Sequence, residues 1–447
     1  MALTLSGTDG VVGAGFTLDA SGASVTAGVG TFGSFADVKV GSGVTISQDG
    51  DVFTTGVTTS STIKVGGGVT ISESGIEASG IGITCASING NQIGGRRNFV
   101  INGEARVAQR GTITDHGTTA KYTAVDRFKT RIGSSYNFDV TSSQSTDAPV
   151  GFSNSLKLSP DSTSTPPDTD NGALCMILEG QDLQGFGFGT SSAKPMTLSF
   201  YAKSGSAGAG TYSIDMHYIN SGNGASQQTR AFTITSSWQR FIFTFEGNGT
   251  ATSDAIRNTR QEGLRIIWHL ASGPDDKTSA ITTWTSTASM KTITGMDNFM
   301  SSTSNEFYIT GVQLEIGSHA TAFEHRTFGD ELSLCQRYFY MAASGEDNTD
   351  TVALCMNFSA SSARAVFYFP TTMRTVPDIY EVGGTNYFKI FQAGGTTDLP
   401  DSIHGGNERP NMAEMAFEDD VSGMTVGQAS ILRLNNDNAR IGFEAEL

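Results

Sequence analysis

The chain has 447 residues, room for about three domains of ordinary size. Lys and Arg total 28 against 44 Asp and Glu, a formal net charge of −16; so acidic a chain lacks the basic footprint by which proteins hold nucleic acid. Glycine is abundant at 54 residues and proline scarce at 10, while hydrophobic residues remain at 37% in alternating runs. That combination indicates many short strands and turns, and excludes both a helical protein and a disordered one.

Four cysteines (Cys85, Cys175, Cys335 and Cys355) stand far apart without a Cys-x-x-Cys pair. Neither a zinc site nor a redox pair is expected, and free, mostly buried thiols in a reducing cytosol are the default reading. No charged-then-apolar leader opens the sequence and no apolar run approaches about 18 residues. Neither conventional secretion nor membrane insertion is expected.

Residues 1–95 contain no Trp, Tyr, Pro or Arg, and hold 21 of the 54 glycines. Lys39-Val-Gly-Ser-Gly-Val-Thr-Ile-Ser47 recurs as Lys64-Val-Gly-Gly-Gly-Val-Thr-Ile-Ser72, with eight matches in nine at a spacing of 25. Strands this poor in large side chains cannot close a core alone and must stack or wind with other copies. The reading is a stalk over 36–95, intertwined as a homotrimer with Val40, Val44, Ile46, Val65, Val69 and Ile71 on the shared axis. A monomeric solenoid or a flexible linker are the alternatives. Residues 1–35 precede the repeat and carry the apolar Leu3, Leu5, Val11, Val12, Phe16 and Phe32, which suit attachment to a larger particle.

From 96 to 326 the strands alternate with turn signals. Candidate strands are 152–158, 173–178, 195–203, 212–218, 230–235, 238–245, 263–270 and 307–316. Seven or more antiparallel strands over about 230 residues describe a β-sandwich, most simply a jelly roll. Residues 327–447 hold a third unit with strand patterns at 351–358, 365–370 and 439–447. Phe307-Tyr-Ile-Thr-Gly-Val-Gln-Leu-Glu-Ile-Gly-Ser-His-Ala-Thr-Ala-Phe-Glu-His-Arg326, followed by Glu331-Leu-Ser-Leu-Cys-Gln-Arg-Tyr-Phe339, links the second unit to the third.

That long ordered string resembles a junction in bacteriophage tail-fibre and adhesin proteins, of the kind found in phages of marine bacteria. Asn98–Arg110, Tyr122–Phe128 and the stretch around Phe369-Pro-Thr-Thr-Met-Arg-Thr-Val-Pro377 are similar to parts of the same family. The resemblance implies a jelly-roll module like carbohydrate-binding modules over 96–326 and a C-terminal tip over 327–447. The fold class is therefore all-β: a repeat β-stalk, a central jelly-roll sandwich and a β-sandwich tip. Modules of this type often hold calcium, to which Asp182 beside Gln181 and Gln184, or Glu104, would contribute oxygens. No spaced acidic loop supports that, so neither cofactor nor metal is expected.

No nucleophile elbow, His-Glu-x-x-His or phosphate loop occurs. His319 and His325 lie six apart without a third ligand, and read as structural or exposed. Glycoside cleavage needs two acids about 5 to 9.5 Å apart; the adjacent pairs Asp275-Asp276 and Asp419-Asp420 read as solvated loops. Among aromatic residues, Trp238 and Trp268 sit with alternating strands and read as core. Trp284 lies in the polar loop 271–304 and is the better ligand candidate. Tyr380, Tyr387 and Phe388 flank glycine-rich loops of the third unit and are candidates for a host-facing surface.

The expected protein is a non-enzymatic phage tail fibre, attached to a tail or capsid protein through its N-terminus and binding host surface polysaccharide by avidity. Alternatives are a capsid-surface fibre without receptor contact and a virion-borne polysaccharide depolymerase.

Overall fold

In the computed structural model, side chains are described for residues 96–447 except 134–135, 250, 287–289, 346–350, 393–396, 401 and 419–420; within 1–95 the backbone of eight short strands is described. The chain divides into two compact units, Met1–Cys85 and Ala86–Leu447.

The first unit contains a hairpin, Phe16–Asp19 with Gly22–Val25, and two three-stranded antiparallel sheets. One is formed by Asp37–Val40, Val44–Ser47 and Val52–Thr54, the other by Thr62–Val65, Val69–Ser72 and Gly75–Ala78. The repeated sequence folds twice in the same register: Lys39 pairs with Thr45 as Lys64 pairs with Thr70. The side chains placed by sequence on a trimer axis (Val40, Val44, Ile46, Val65, Val69, Ile71) and those placed at an attachment end (Leu3, Leu5, Val11, Val12, Phe16, Phe32) lie outside the described residues.

In the second unit two antiparallel sheets face each other as a β-sandwich of the jelly-roll kind. The five-stranded sheet runs Val140–Ser145, Ser155–Pro160, Phe307–Ile316, Met196–Ser204, Gln239–Phe245. The six-stranded sheet runs Thr285–Ser286, Ala225–Ile234, Gly210–Ile219, Glu262–Ser272, Asn171–Glu179, Phe128–Ile132. Period-two alternation sends Leu198, Phe200, Ile214, Met216, Ile266 and Trp268 into one shared core.

The central strand Phe307–Ile316 changes phase midway. Phe307 and Ile309 face the core, and so do Val312 and Leu314, which strict alternation forbids. A bulge absorbs the extra residue: the register against Met196–Ser204 shifts between Ser199 and Tyr201, and Gly311 adopts φ 62. A Cβ there would sit 2.8 Å from the Phe152 ring and 2.9 Å from Tyr201.

All nine residues of Asn171–Glu179 are buried, because both faces of the six-stranded sheet are covered. The inner face meets the core, while the segment following Glu262–Ser272 runs back across the outer face. Ile281 exchanges hydrogen bonds with Thr229, and the Lys291 amide donates to Gln227 Oε1. Met290 packs on Ala173, Cys175 and Ile267. Under this cover lie Asp215, His217 and His269; an Asp215 oxygen stands 3.6 Å from His269 Nε2 and 4.0 Å from His217 Nδ1.

The string that carries the family resemblance is a set of structural clasps. Glu315 accepts from the Thr321 amide at 2.8 Å, Gln313 Oε1 accepts from the Glu324 amide, and Glu324 accepts from the amides of Arg97 and Asn98. Arg326 then bonds the Asn98 and Val100 carbonyls. The chain continues as a helix, Phe328–Gln336, N-capped by Thr327, where the sequence reads only as a link between the second and third units.

The C-terminal part has a seven-stranded and a three-stranded sheet around a second core. It belongs to the same compact unit as the sandwich. Buried polar contacts fasten the two: Glu179 accepts from Arg337 Nε and Nη2 at 3.1 Å and from the Tyr338 hydroxyl at 2.6 Å. Arg127 pairs with Glu446 and lies 3.5 Å from the Tyr338 ring.

Candidate functional site

A cavity of about 320 Å³ opens beside the edge of the six-stranded sheet, where the short Thr285–Ser286 strand pairs with Ala225–Ile234. Four separate stretches meet there. Ser226 and Gln228 come from the sheet, Glu246, Gly247 and Asn248 follow Gln239–Phe245, Asp254 ends a 3₁₀ turn, and Thr282–Ser286 forms the opposite lip.

Trp284 is half-buried at this lip and firmly oriented. Its indole nitrogen donates to the Glu246 carbonyl at 2.6 Å, and the ring meets Tyr218 at 4.9 Å and 81° and Phe188 at 5.6 Å and 69°. These edge-to-face contacts anchor the indole against the core of the sandwich. The Tyr218 hydroxyl accepts from Asn248 Nδ2 at 2.7 Å, linking the same aromatic cluster to a second lining residue.

Arg230 braces the lip: Nη1 donates to the Ile281 carbonyl and Nη2 to Gln228 Oε1 at 2.7 Å. That bond fixes which way the Gln228 amide faces. Gln228 is fully buried, and its Nε2 makes no hydrogen bond to the described residues. A buried donor without a partner is costly, about 1–3 kcal/mol, and it belongs to one of the residues around this cavity. The site therefore offers an aromatic wall and acceptors from Glu246 and Asp254 over a buried amide donor, a set suited to a neutral polyhydroxylated ligand.

The other aromatic candidates are dispersed. Tyr380 is half-buried, edge-on to Phe339 at 5.1 Å, and lines a different cavity. Tyr387 packs half-buried on the C-terminal core. Phe388 is fully buried in that core, 6.3 Å from the Phe417 ring, and so faces no external surface. Its strand begins at Phe388 itself, which turns the ring inward.

Trp268 is fully buried, as its strand pattern indicates. Trp238 is not a core residue: it precedes the Gln239–Phe245 strand, lies half-exposed, and donates to Asp147 Oδ1 at 3.0 Å with the Lys203 ammonium 5.5 Å from its ring.

Asp275 is exposed while Asp276 is buried and paired with Lys291 at 3.1 Å, so only the first sits in a solvated loop. Asp419 and Asp420 lie outside the described residues. His325 pairs with Glu104 at 2.9 Å and packs on Phe323 and Phe152; His319 bonds Ser318 Oγ. The Gln181 and Gln184 side-chain amides donate to Glu179 and to the Gly180 carbonyl. Among the described residues no group of three or more His, Cys, Asp or Glu is arranged to hold a metal. Cys175, Cys335 and Cys355 are free and buried.

Sequence reasoning singled out Trp284 but not Gln228, Glu246, Asn248 or Asp254. No spacing connects these residues; only the fold brings them together.

No protein-family model matches the sequence, nor does any curated protein. Solved structures similar to it include a family 11 carbohydrate-binding module of the cellulase Lic26A-Cel5E of Clostridium thermocellum, at 13% identity over 48% of this chain and 98% of that one, with a TM-score of 0.24. A CBM22-1 xylan-binding domain from Paenibacillus barcinonensis Xyn10C is 8% identical over 52% of this chain and 100% of its own, with a TM-score of 0.25. The enzymatically active domain of bacteriophage CBA120 tailspike protein 4 is 12% identical over 49% of this chain and 21% of its own, with a TM-score of 0.24. At such identities and scores these likenesses carry no argument about what this chain binds.

Proposed function

We propose that the chain binds saccharide through the Trp284 cavity, without cleaving it, as the body of a phage-type adhesive fibre. The observation that carries the reading is the juxtaposition of the half-buried Trp284 ring with the unpartnered Gln228 amide in one cavity. Sugar rings present apolar faces to an aromatic wall and hydroxyls to idle donors and acceptors, so both features are satisfied by the same ligand. The clasped string at 307–326 supports placement in a tail fibre, and the twice-folded repeat supports a stalk shared by three copies. Such a fibre would raise weak single-site binding by avidity at a polysaccharide surface.

A second reading has its own observation: Glu246 and Asp254 line the same cavity, and two carboxylates across a saccharide are the requirement of a depolymerase. Asp254 already accepts from the Ala251 amide at 3.1 Å, which favours a structural part for it.

A glycan array probed with the full chain and with Trp284→Ala tests both readings. Loss of a central aromatic anchor costs about 2 kcal/mol or more, roughly 30-fold in affinity. Unchanged binding by the variant would remove this cavity from consideration. Release of new reducing ends from a bound polysaccharide, abolished by Glu246→Gln, would replace adhesion with cleavage.

A further inference from the structure

We infer that the outer face of the seven-stranded sheet is an interface between copies of this chain. Five of the eleven large hydrophobic side chains that stand exposed among the described residues lie there, on two neighbouring strands. Leu354, Met356 and Phe358 alternate along Thr351–Ser359, and Val366 and Tyr368 along Ser362–Tyr368. Met356 stands opposite Arg364, which places both sets on one face. Leu354 and Tyr368 are each 74% exposed and Met356 is 52% exposed.

The intervening Cys355, Ala363, Ala365 and Phe367 meet the C-terminal core. Both strands are therefore apolar on their two faces, the pattern of strands covered on both sides; a sheet with one solvated face alternates apolar with polar residues. Three further strands lie beyond one of the pair and two beyond the other. No edge is open here to an added strand, so cover must come face to face. The five exposed side chains present on the order of 600 Å², an area large for a solitary chain. Ile431 pairs with Leu354, and Phe391 with Ile431, which extends the patch across two more strands toward the roughly 800 Å² per partner of a standard interface.

Charge selects the second copy as the occupant. Thr351–Ser359 carries no charged residue, and Ser362–Tyr368 carries only Arg364. That arginine is neutralised within its own chain: Nη1 donates to Glu414 Oε1 at 2.8 Å, and the guanidinium lies 3.7 Å from the Phe358 ring. Two copies can bring these strands together without opposing like charges, although the chain as a whole carries −16. With no unpaired charge on the two strands, nothing selects a different protein, while the apolar surface is complementary to itself. The inference deepens the three-copy reading of the repeat and rests on it: copies joined at the repeat share an effective concentration that closes a contact too weak to form alone.

Maleimide labelling of the full chain tests the cover, and light scattering on the same samples reports the number of copies. Met356→Cys places a thiol within the face, and Val150→Cys, at a fully exposed turn, is the reference; peptide mass reads each introduced site apart from the native cysteines. Met356→Cys should label about tenfold more slowly than the reference, as a face closed about nine-tenths of the time requires. Adding Leu354→Glu or Tyr368→Glu should restore the reference rate, because like charges then meet across the contact; should one glutamate variant fail to fold, the other decides. Equal rates for the two thiols overturn the inference, as does slow labelling that both glutamates leave unchanged. A three-copy mass with equal rates keeps the shared repeat and removes this interface. A two-copy mass with slow labelling relieved by glutamate does the reverse, and a monomer overturns both.

Discussion

Arg127 joins the sandwich to the C-terminal sheets through one buried side chain. Its side chain is 4% exposed and that of its partner Glu446 is 2% exposed. Its Nη2 also donates to the Ile177 carbonyl at 2.7 Å, and its plane covers the Tyr338 ring. Arg127→Met keeps most of the aliphatic bulk and removes the charge, stranding the Glu446 carboxylate inside the protein. Breaking one side of a buried pair costs about 3–5 kcal/mol. Arg110 Nη2 still stands 3.4 Å from Glu446, which places the expected loss at the lower end, about 3 kcal/mol. Urea unfolding of the full chain, followed by tryptophan fluorescence, measures it. Adding Glu446→Gln should restore about 2 kcal/mol, because the uncompensated charge is gone and only the neutral contacts are missing. A loss under about 1 kcal/mol, the worth of an exposed pair, would refute the reasoning. So would a double variant that loses the full sum of the two singles.

Acid should weaken the fold in a defined window. His116, fixed between Thr130 Oγ1 and Ser142 Oγ at 3.0 Å each, is pushed down to about 4 by burial and then by Lys121; His217 is likewise pushed down to about 4 by burial, against the pull of Asp215. Unfolded histidine takes a proton near 6.5 while these stay neutral, so stability present above 6.5 is lost between pH 6.5 and 4, by up to about 3 kcal/mol for each ring. Asp126 works oppositely, raised to about 6 by burial against Arg110, and returns up to about 3 kcal/mol over nearly the same range. A net loss of about 3 kcal/mol should appear in denaturant midpoints between pH 6.5 and 4, and a flat or rising profile would contradict it. Light scattering tests the stalk: the full chain should show a mass about three times 47.0 kDa that falls when the repeat is removed, and a monomer in both forms would refute the trimer.

Strand positions in the sandwich were legible because one face of each strand is core. The expected run 307–316 matches the observed strand at both ends, and most other strands agree to within a few residues. The bulge was visible only as a break of phase at Gly311, where two alternating sets meet. Helix Phe328–Gln336 was missed although Thr327 and Asp330 form a capping signal at its start; its short apolar face carries too weak a period to stand out. Trp238 misled because its neighbours alternate cleanly, yet it stands one residue before the strand. The residues that meet Trp284 at the cavity were illegible for a different reason. Gln228 reads as an ordinary strand position, and only tertiary geometry reveals that its amide lacks a partner.

The segment across the outer face of the six-stranded sheet has an evolutionary consequence. Thr229 and Gln227 are spent on holding this segment in place, so the strands beneath it are constrained by folding. The lip residues Thr282, Thr283, Thr285 and Ser286 are exposed and owe the core little. Variation can therefore accumulate at the cavity's rim while the scaffold stays fixed, so the cavity's lining can change by a handful of substitutions without cost to the fold.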